Sequence, residues 1–246
     1  MTVMHGIVLL SGGLDSTTVA ADAIRAGHDI RGLCLSYGQL HAREVDAASA
    51  VATRLRIPLE VVDAAFYGRL ASFSSLVGGD PTFVPSGRSP EAIGEGVPST
   101  YVPLRNTFFV TVAAAALESW TLDLIERQGV EPSALSPAVF VGANAIDYSG
   151  YPDCRPEFYQ ALEEVLRLGS KLGSFYGVRI RIEAPIIHLS KADIARHAIE
   201  LGAPIDVTWS CYRGGERPCG TCDSCVLRAE GFAAAGIVDP ALPAPS

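Results

Sequence analysis

The segment Gly6-Ile-Val-Leu-Leu-Ser-Gly-Gly-Leu-Asp-Ser16 decides the fold of this chain. Its first five residues form a short apolar run, which is typical of a strand buried on both faces of a parallel sheet. The two glycines that follow allow a tight turn, and a helical pattern then covers residues 16–26. A strand, a glycine-rich turn and a helix in this order predict the first unit of an alternating β/α domain.

The same alternation continues along the chain. The predicted strands are residues 6–10, 30–36, 58–62, 138–141 and 178–182. The predicted helices are residues 16–26, 43–55, 106–120, 156–171, 190–201 and 223–235. We therefore predict an α/β fold, with a Rossmann-like parallel sheet covered by helices on both faces.

Three stretches fall outside this alternation. Residues 65–102 form a long connection rich in Ser, Gly and Pro, and a loop of this length in a compact domain usually has a function. Residues 121–137 are predicted to be a surface insertion. We expect a nucleotide-binding domain over residues 1–206, a metal-binding segment over 207–236 packed on it, and a disordered tail over 237–246.

The composition excludes a disordered chain, because 48% of the 246 residues are hydrophobic and only 19% are charged. The net charge of −8 disfavours nonspecific binding of nucleic acid, which needs clustered Lys and Arg. We find no signal-peptide pattern and no run of about 18 apolar residues that would span a membrane. These observations predict a cytoplasmic protein with reduced thiols.

The glycine-rich turn has the features of an anion-binding site. Its successive amides lie at the positive end of a helix dipole, and Ser11, Ser16 and Thr17 add hydroxyl donors. The plain alternative is a strand-to-helix turn with Asp15 or Ser16 as the helix cap. The turn is not a Walker A loop, because it lacks the Gly-Lys-Ser/Thr ending.

Four of the six cysteines fall within fifteen residues, at Cys211, Cys219, Cys222 and Cys225. Four thiolates are the ligand set of a tetrahedral zinc with no open position, which would be structural rather than catalytic. An iron–sulfur cluster needs the same number of ligands, and buried free thiols or a redox pair are further alternatives. This density of cysteines favours zinc over the alternatives.

Polar strings follow or precede several predicted elements, at positions where an open α/β sheet binds its ligands. They are Ser36-Tyr-Gly-Gln-Leu-His41, Ser99-Thr-Tyr-Val-Pro-Leu-Arg-Asn106 and Gly142-Ala-Asn-Ala-Ile-Asp-Tyr-Ser-Gly-Tyr-Pro-Asp-Cys-Arg155. Taken singly, each residue has a simpler interpretation. His41 would be a surface residue, Arg105 would form a salt bridge at the start of a helix, and Asp147 or Asp153 would cap a turn. Together the three strings are predicted to line one pocket.

These strings carry a family resemblance. Ser11-Gly-Gly-Leu-Asp-Ser16 resembles the pyrophosphate-binding loop of the N-type ATP pyrophosphatases. With the YGQxH, VPxRN, DYSGYPDCR and CGTCDSC strings, the chain resembles the 7-cyano-7-deazaguanine synthases of the queuosine pathway from about Ile7 to Phe232. Two departures are visible: residues 121–137 look longer than usual, and Leu104 replaces the Gly or Ala of many relatives, where it would narrow the nucleotide pocket.

The resemblance implies an ATP-dependent ligase that makes the nitrile preQ0 from 7-carboxy-7-deazaguanine and ammonia through adenylated acid and amide intermediates. It also implies Mg²⁺ on the phosphates, Zn²⁺ on the four cysteines and a homodimer. The ATP site that it implies comprises Leu10, Ser11, Gly12, Gly13, Leu14, Asp15, Ser16, Thr17, Thr18, Val19 and Ala20, to which we add Arg105 and Asn106.

Chemistry suggests roles for further residues. The catalytic candidates are Ser11, Asp15, Ser16 and Lys191. Lys191 would neutralise the charge of the pyrophosphate; the alternative is a solvent-exposed lysine in the first turn of a helix. Asp15 would hold Mg²⁺ or orient the loop. The residues expected to hold the substrate are Asp147, Tyr148, Tyr151, Asp153 and Arg155. A carboxylate among them can accept hydrogen bonds from the N–H groups of a guanine-like base. Arg105 or Arg155 can bind the carboxylate of the substrate or a phosphate of the nucleotide.

Three alternatives stay open. One is another PP-loop enzyme, such as a tRNA thiolase, an asparagine-synthetase-like ligase or an NAD synthetase. The second is a related ligase that transfers a similar activated acid to a different amine. The third is a nucleotide-binding module without catalysis, which would need the glycine-rich loop but neither DYSGYPDCR nor the cysteines.

Overall fold

The computed structural model describes residues 2–38, 43–77, 82, 84–89, 93, 96–145 and 151–242. The strands in these ranges are β1 Val3–Leu9, β2 Asp29–Ser36, β3 Leu59–Asp63, β4 Leu135–Phe140 and β5 Arg181–Glu183. The helices are α1 Leu14–Arg25, α2 Arg43–Leu55, α3 Ala65–Leu70, α4 Arg105–Glu126, α5 Pro156–Gly169, α6 Lys171–Ser174, α7 Lys191–Glu200 and α8 Asp223–Ala235. Short 3₁₀ turns cover Pro132–Ala134, Pro152–Cys154 and Ile205–Val207.

The five strands form one parallel sheet in the order β3-β2-β1-β4-β5. Strand β1 lies at the centre, where Ile7 pairs with Arg31 of β2 on one side and with Val139 of β4 on the other. The chain leaves β1 towards β2 and returns on the opposite side as β4. The segments that follow β1 and β4 therefore diverge at a switch point, where open α/β sheets bind ligands.

Alternate side chains of the sheet enter two different cores, as the period of a strand requires. Ile7 and Val139 pack with residues of α4 and α5 on one face. Val8 and Ala138 pack with residues of α1, α2, α7 and α8 on the other face. The prediction of an α/β fold with a parallel sheet and helices on both faces is confirmed.

The predicted surface insertion over residues 121–137 is wrong in most of its length. Its first six residues continue helix α4, and its last three begin β4. Thr121 is fully buried, and its Oγ1 lies 2.8 Å from Nε2 of His5 on β1. A polar residue with a buried partner thus continues a helix where the apolar pattern alone indicated an end.

Helix α4 also corrects the expectation that no segment is long and apolar enough to cross a membrane. It has 22 residues and a mean hydropathy of 1.5 over its 18-residue window, which meets that test by length and composition alone. In this fold α4 packs against β1 and β4 and buries Val110, Ala113 and Leu117. Its apolar character is that of a helix lying on a sheet.

The predicted disorder does not begin at residue 237. Ile237 packs against the second core, and Asp239 is 7% exposed because it pairs with Arg228. Residues 243–246 lie outside the described part of the chain. The end of α8 is thereby tied to the body of the domain.

Leu104 points away from the site that it was expected to narrow. Its backbone is left-handed, with φ 56° and ψ 22°, and its side chain is 64% exposed. It does not line the central cavity. The expectation that Leu104 narrows the nucleotide pocket is therefore wrong, and the backbone geometry shows instead why glycine suits this position.

We expect Leu104→Gly to raise the free energy of unfolding by about 1 kcal/mol, because it relieves a left-handed conformation that costs a leucine more than it costs glycine. Urea unfolding measures the change. Leu168, 63% exposed in helix α5, is the matched control, and Leu168→Gly should lower stability since its backbone is helical. A Leu104→Gly protein that unfolds more easily than the parent would contradict this account.

Candidate active site

In the phosphate loop, residues 11–16, the two glycines occupy their positions for different physical reasons. Gly12 has φ +78°, and a Cβ on it would lie 2.4 Å from the amide nitrogen of Ala48 in α2. A Cβ on Gly13 would meet nothing closer than Ser11 Oγ at 3.5 Å and the Trp209 carbonyl at 3.6 Å. Gly12 is thus required by packing, whereas a Cβ at Gly13 would make only ordinary van der Waals contacts.

Helix α1 begins directly behind this loop with Gly13 as its N-cap residue. The alternative in which Asp15 or Ser16 caps the helix is therefore wrong. Ser16 Oγ instead closes the turn, because it accepts a hydrogen bond from the Ser11 amide at 3.2 Å and donates to the Gly13 carbonyl at 3.2 Å. The first amides of α1 border a cavity, which is an arrangement that binds anions.

Lys191 lies against the phosphate loop. Its Nζ donates to both carboxylate oxygens of Asp15, at 2.9 Å and 2.7 Å, and its side chain is only 13% exposed. A Cβ on Gly231 of α8 would lie 2.8 Å from the Lys191 Cβ, so the glycine makes room for the lysine. The interpretation of Lys191 as a solvent-exposed residue is wrong.

A second cation, Arg105, lines the same cavity as Lys191. Arg105 begins α4, and its guanidinium interacts electrostatically with Tyr37, Tyr151 and Tyr212. Burial opposes the charge of Arg105, but these tyrosines raise its pKa above the usual value, so it stays protonated. Burial raises the pKa of Tyr37 to about 12, so this hydroxyl is neutral and available as a donor.

Asn106 connects this cation to the segment that begins at Tyr151. Its amide nitrogen donates to Asp153 Oδ2 at 3.2 Å, and its Nδ2 donates to the Asp153 carbonyl at 2.9 Å. Asp153 is 5% exposed, and its Oδ1 has no hydrogen-bond partner among the residues that the structure describes. Burial raises the pKa of the neighbouring Cys154 to about 11, which keeps this thiol neutral, as its sequence context suggested.

One cavity of about 290 Å³ lies at the carboxyl ends of β1, β2 and β4. The predicted site residues on its wall are Leu10, Ser11, Gly13, Leu14, Asp15, Ser16, Arg105, Asn106, Tyr151 and Lys191. The predicted site residues that do not line it are Gly12, Thr17, Thr18, Val19, Ala20, Asp153 and Arg155. Val19 and Ala20 pack in the core under α1, and Thr17 is fully buried.

Some sequence predictions fall on residues that the structure leaves undescribed. Asp147 and Tyr148 of the predicted substrate site, and His41 of the YGQxH string, lie outside the described ranges.

The wall residues that sequence reasoning missed include Trp209, Ser210, Tyr212 and Arg228. Three of them flank Cys211, and Arg228 follows Cys225 by three positions on α8. The signal available was their position beside the cysteine cluster. It became informative only once the structure brought this segment to the carboxyl edge of the sheet.

The four clustered cysteines converge on one point, since their sulfur atoms all lie within 4.8 Å of one another. Four thiolates around one zinc would be roughly 3.8 Å apart, given zinc–sulfur bonds of about 2.3 Å. Hydrogen bonds from the Cys222 and Cys225 thiols lower the pKa of Cys211. The amide of Cys222 also donates to Cys219 Sγ at 3.3 Å. The geometry and the donors fit a metal held by thiolates.

Part of the long connection docks on this cysteine segment. Ser86 forms an antiparallel bridge with Cys222, and the Gly87 amide donates to the Thr221 carbonyl at 2.9 Å. Arg88 pairs with the buried carboxylate of Asp223 at the start of α8. Residues 84–89 are therefore held by the same segment that carries the predicted metal ligands.

Comparison with known proteins decides the family. The family described as queuosine biosynthesis protein QueC matches residues 5–236. The chain belongs to the QueC family. It is 45% identical to 7-cyano-7-deazaguanine synthase of Thermoplasma acidophilum, over 95% of this chain and 90% of that protein. It is 46% identical to 7-cyano-7-deazaguanine synthase 2 of Desulfitobacterium hafniense strain Y51, over 95% of this chain and 91% of that protein.

Solved structures are more distant from this QueC-family chain. An NMN synthetase from Francisella tularensis shares 14% identity and a TM-score of 0.41, over 99% of this chain and 80% of that chain. A likeness of this size carries no argument about function. The resemblance seen in the sequence is confirmed by the family match and by the two relatives.

Proposed function

We propose that this chain is an ATP-dependent ligase that converts 7-carboxy-7-deazaguanine and ammonia into 7-cyano-7-deazaguanine. One observation carries the proposal: a single cavity is lined by the phosphate loop, Lys191, Arg105 and Asn106. An anion-binding loop and two cations thus meet at one site, as the joint binding of a nucleotide and a small acid requires. Membership of a family whose relatives are named for this product supports the choice of acid.

The chemistry explains why ATP is needed. The carboxylate oxygen attacks the α-phosphorus of ATP, pyrophosphate leaves, and the acid becomes an adenylate. Ammonia then attacks the acyl carbon, AMP leaves with one carboxylate oxygen, and loss of a proton gives the amide. A second ATP activates the amide oxygen in the same way. Loss of that oxygen as AMP, and of the remaining amide protons, leaves the nitrile.

On the phosphate side, the uncapped amides of α1 with Ser11 and Ser16 would bind the phosphate oxygens. Lys191 would neutralise charge on the leaving pyrophosphate, which is the step where negative charge accumulates. Asp15 shares a hydrogen-bonded pair with Lys191, and its carboxylate is the oxygen ligand on this wall that suits Mg²⁺. Bound Mg²⁺ would supply charge neutralisation across the phosphates.

On the substrate side, Arg105 would orient the carboxylate of the acid towards the α-phosphate, because its charge persists despite burial. Asp153 is a candidate acceptor for an N–H of the deazaguanine base, although its buried carboxylate does not line the cavity. Tyr151 lines the cavity, and its hydroxyl group is 2.7 Å from Thr100 Oγ1. Arg155, Asp147 and Tyr148 remain candidates in the adjoining segment.

We also propose that Cys211, Cys219, Cys222 and Cys225 hold one structural zinc ion, because the four sulfurs converge and leave no open position for catalysis. The net charge of −8 favours an enzyme that acts on a free base in the cytoplasm rather than on tRNA. A homodimer is the form that we expect in solution.

Product analysis tests the reaction. Incubation with 7-carboxy-7-deazaguanine, ammonium and ATP should give the nitrile, with AMP and pyrophosphate as the nucleotide products. Stoichiometric ADP and phosphate would overturn the adenylation scheme. Mass spectrometry of the product separates ammonia from another amine acceptor, and ATP binding with no turnover would favour a binding module.

Lys191 can be tested against a natural control, since the sequence contains only two lysines. Lys191→Met should lower kcat about 100-fold or more, because the charge on the leaving pyrophosphate loses its neutralising group. Lys171 forms an exposed pair with Glu126 at 2.5 Å, far from the cavity, and Lys171→Met should leave kcat within twofold. Equal activity in the two variants would remove Lys191 from the mechanism.

Metal analysis tests the zinc. Purified protein should contain about one zinc per chain, and Cys219→Ser should reduce both zinc content and thermal stability. Cys34 lies in the core under α1 and α2, away from the cluster, so Cys34→Ala should keep the zinc. A metal-free protein with unchanged thermal stability would refute the assignment.

A further inference from the structure

One segment connects the phosphate loop to the C-terminal part of the chain. The amide of Trp209 donates to the carbonyl of Gly12 at 2.9 Å. On its other side Gly12 packs against the backbone of Ala48, without room for a side chain. Displacement of Trp209 would therefore free one side of a loop that is otherwise tightly packed.

Arg228 holds this segment on both sides of Trp209. Its Nη1 donates to Thr208 Oγ1 at 2.9 Å and to Ser210 Oγ at 3.0 Å. Its Nε and Nη2 donate to the two carboxylate oxygens of Asp239 at 2.6 Å and 2.9 Å. Arg228 and Asp239 are each 7% exposed, so the pair is removed from solvent.

Stability alone is a weak explanation for such a pair. Burial of two charges costs desolvation that their attraction only partly offsets, and apolar residues of similar volume often serve stability as well. A planar guanidinium, however, fixes the direction of several hydrogen bonds at once. Here two of those bonds end on the residues that flank Trp209, which bonds the phosphate loop.

We propose that Arg228 and Asp239 are positioning residues for ATP: they hold residues 208–210 so that Trp209 keeps the phosphate loop in its binding geometry. This inference rests on the proposed function in so far as the loop binds ATP. It assigns a role to two residues outside the phosphate loop and the cysteine cluster. It also explains why the chain beyond α8 is ordered as far as Asp239.

The test uses variants that cannot contact ATP directly. Asp239 and Thr208 do not line the cavity, so any effect of Asp239→Asn or Thr208→Val on the nucleotide is indirect. The Thr208 hydroxyl also donates to the Ile205 carbonyl at 2.7 Å, so agreement between the two variants assigns the effect to Arg228. Thr208→Val removes the hydroxyl at constant shape, and Thr208→Ser restores it. Asp206→Asn is the control, because Asp206 pairs with Arg54 at 2.8 Å on the surface, two residues before Thr208.

The readout is the Kd of the full-length protein for α,β-methylene-ATP, measured by calorimetry well below the Tm, with KM for ATP measured in parallel. We expect Kd to rise about tenfold for Asp239→Asn and Thr208→Val, as loss of a hydrogen bond to a charged group predicts. Thr208→Ser and Asp206→Asn should stay within twofold of the parent. KM for the acid at saturating ATP should not change.

An unchanged Kd for the nucleotide would contradict the positioning role. A Kd within twofold of the parent in Asp239→Asn and Thr208→Val, with only the Tm lowered, would make the pair merely structural and overturn the inference. If Asp239→Asn does not fold, the comparison of Thr208→Val with Thr208→Ser decides alone. Absence of nitrile formation by the parent protein would refute the proposed function, while the Kd measurement would still test the positioning role.

Discussion

The backbone of the phosphate loop is packed on two sides without room for a side chain, and the site depends on this constraint. Gly12 abuts the backbone of Ala48 in α2, and a Cβ on Gly142 would lie 3.0 Å from the amide nitrogen of Ser16. The pairing of β1 with β4 brings Gly142 to this position. The first turn of α1 is thereby fixed between α2 and the segment after β4, with its amides directed to one cavity.

The cavity wall carries positive charges although the chain as a whole is acidic. The chain carries a net charge of −8, yet the cations Lys191, Arg105 and Arg228 all line this cavity. Lys191 is balanced by Asp15, so a phosphate group that enters the loop competes with a carboxylate for this lysine. Arg105 interacts with tyrosine side chains, which raise its pKa and so stabilise its charge. An acidic protein can thus bind anionic ligands, because its positive charge is placed at the switch point of the sheet.

Local patterns predicted most of the fold, and long-range contacts account for the rest. The phosphate loop, the β/α alternation and the cysteine spacing are short-range features, and the structure has them where the sequence indicated. The length of α4 was missed because Thr121 is satisfied by His5, which is 116 positions away. The exposure of Leu104 follows from a left-handed φ that no sequence pattern reports. Trp209 and Arg228 reach the cavity only through the folding of the C-terminal segment.

That C-terminal segment explains why a structural metal belongs beside the site. Trp209 donates from its indole nitrogen to the carbonyl of Cys211 at 2.8 Å, and from its backbone amide to Gly12 of the phosphate loop. The same segment holds residues 84–89 through Cys222 and Asp223. A cluster of four thiolates joins these attachments within fifteen residues, in a stretch with no regular secondary structure before α8. Because such a stretch has few backbone hydrogen bonds of its own, a metal ion is the means by which it keeps a defined position against the sheet.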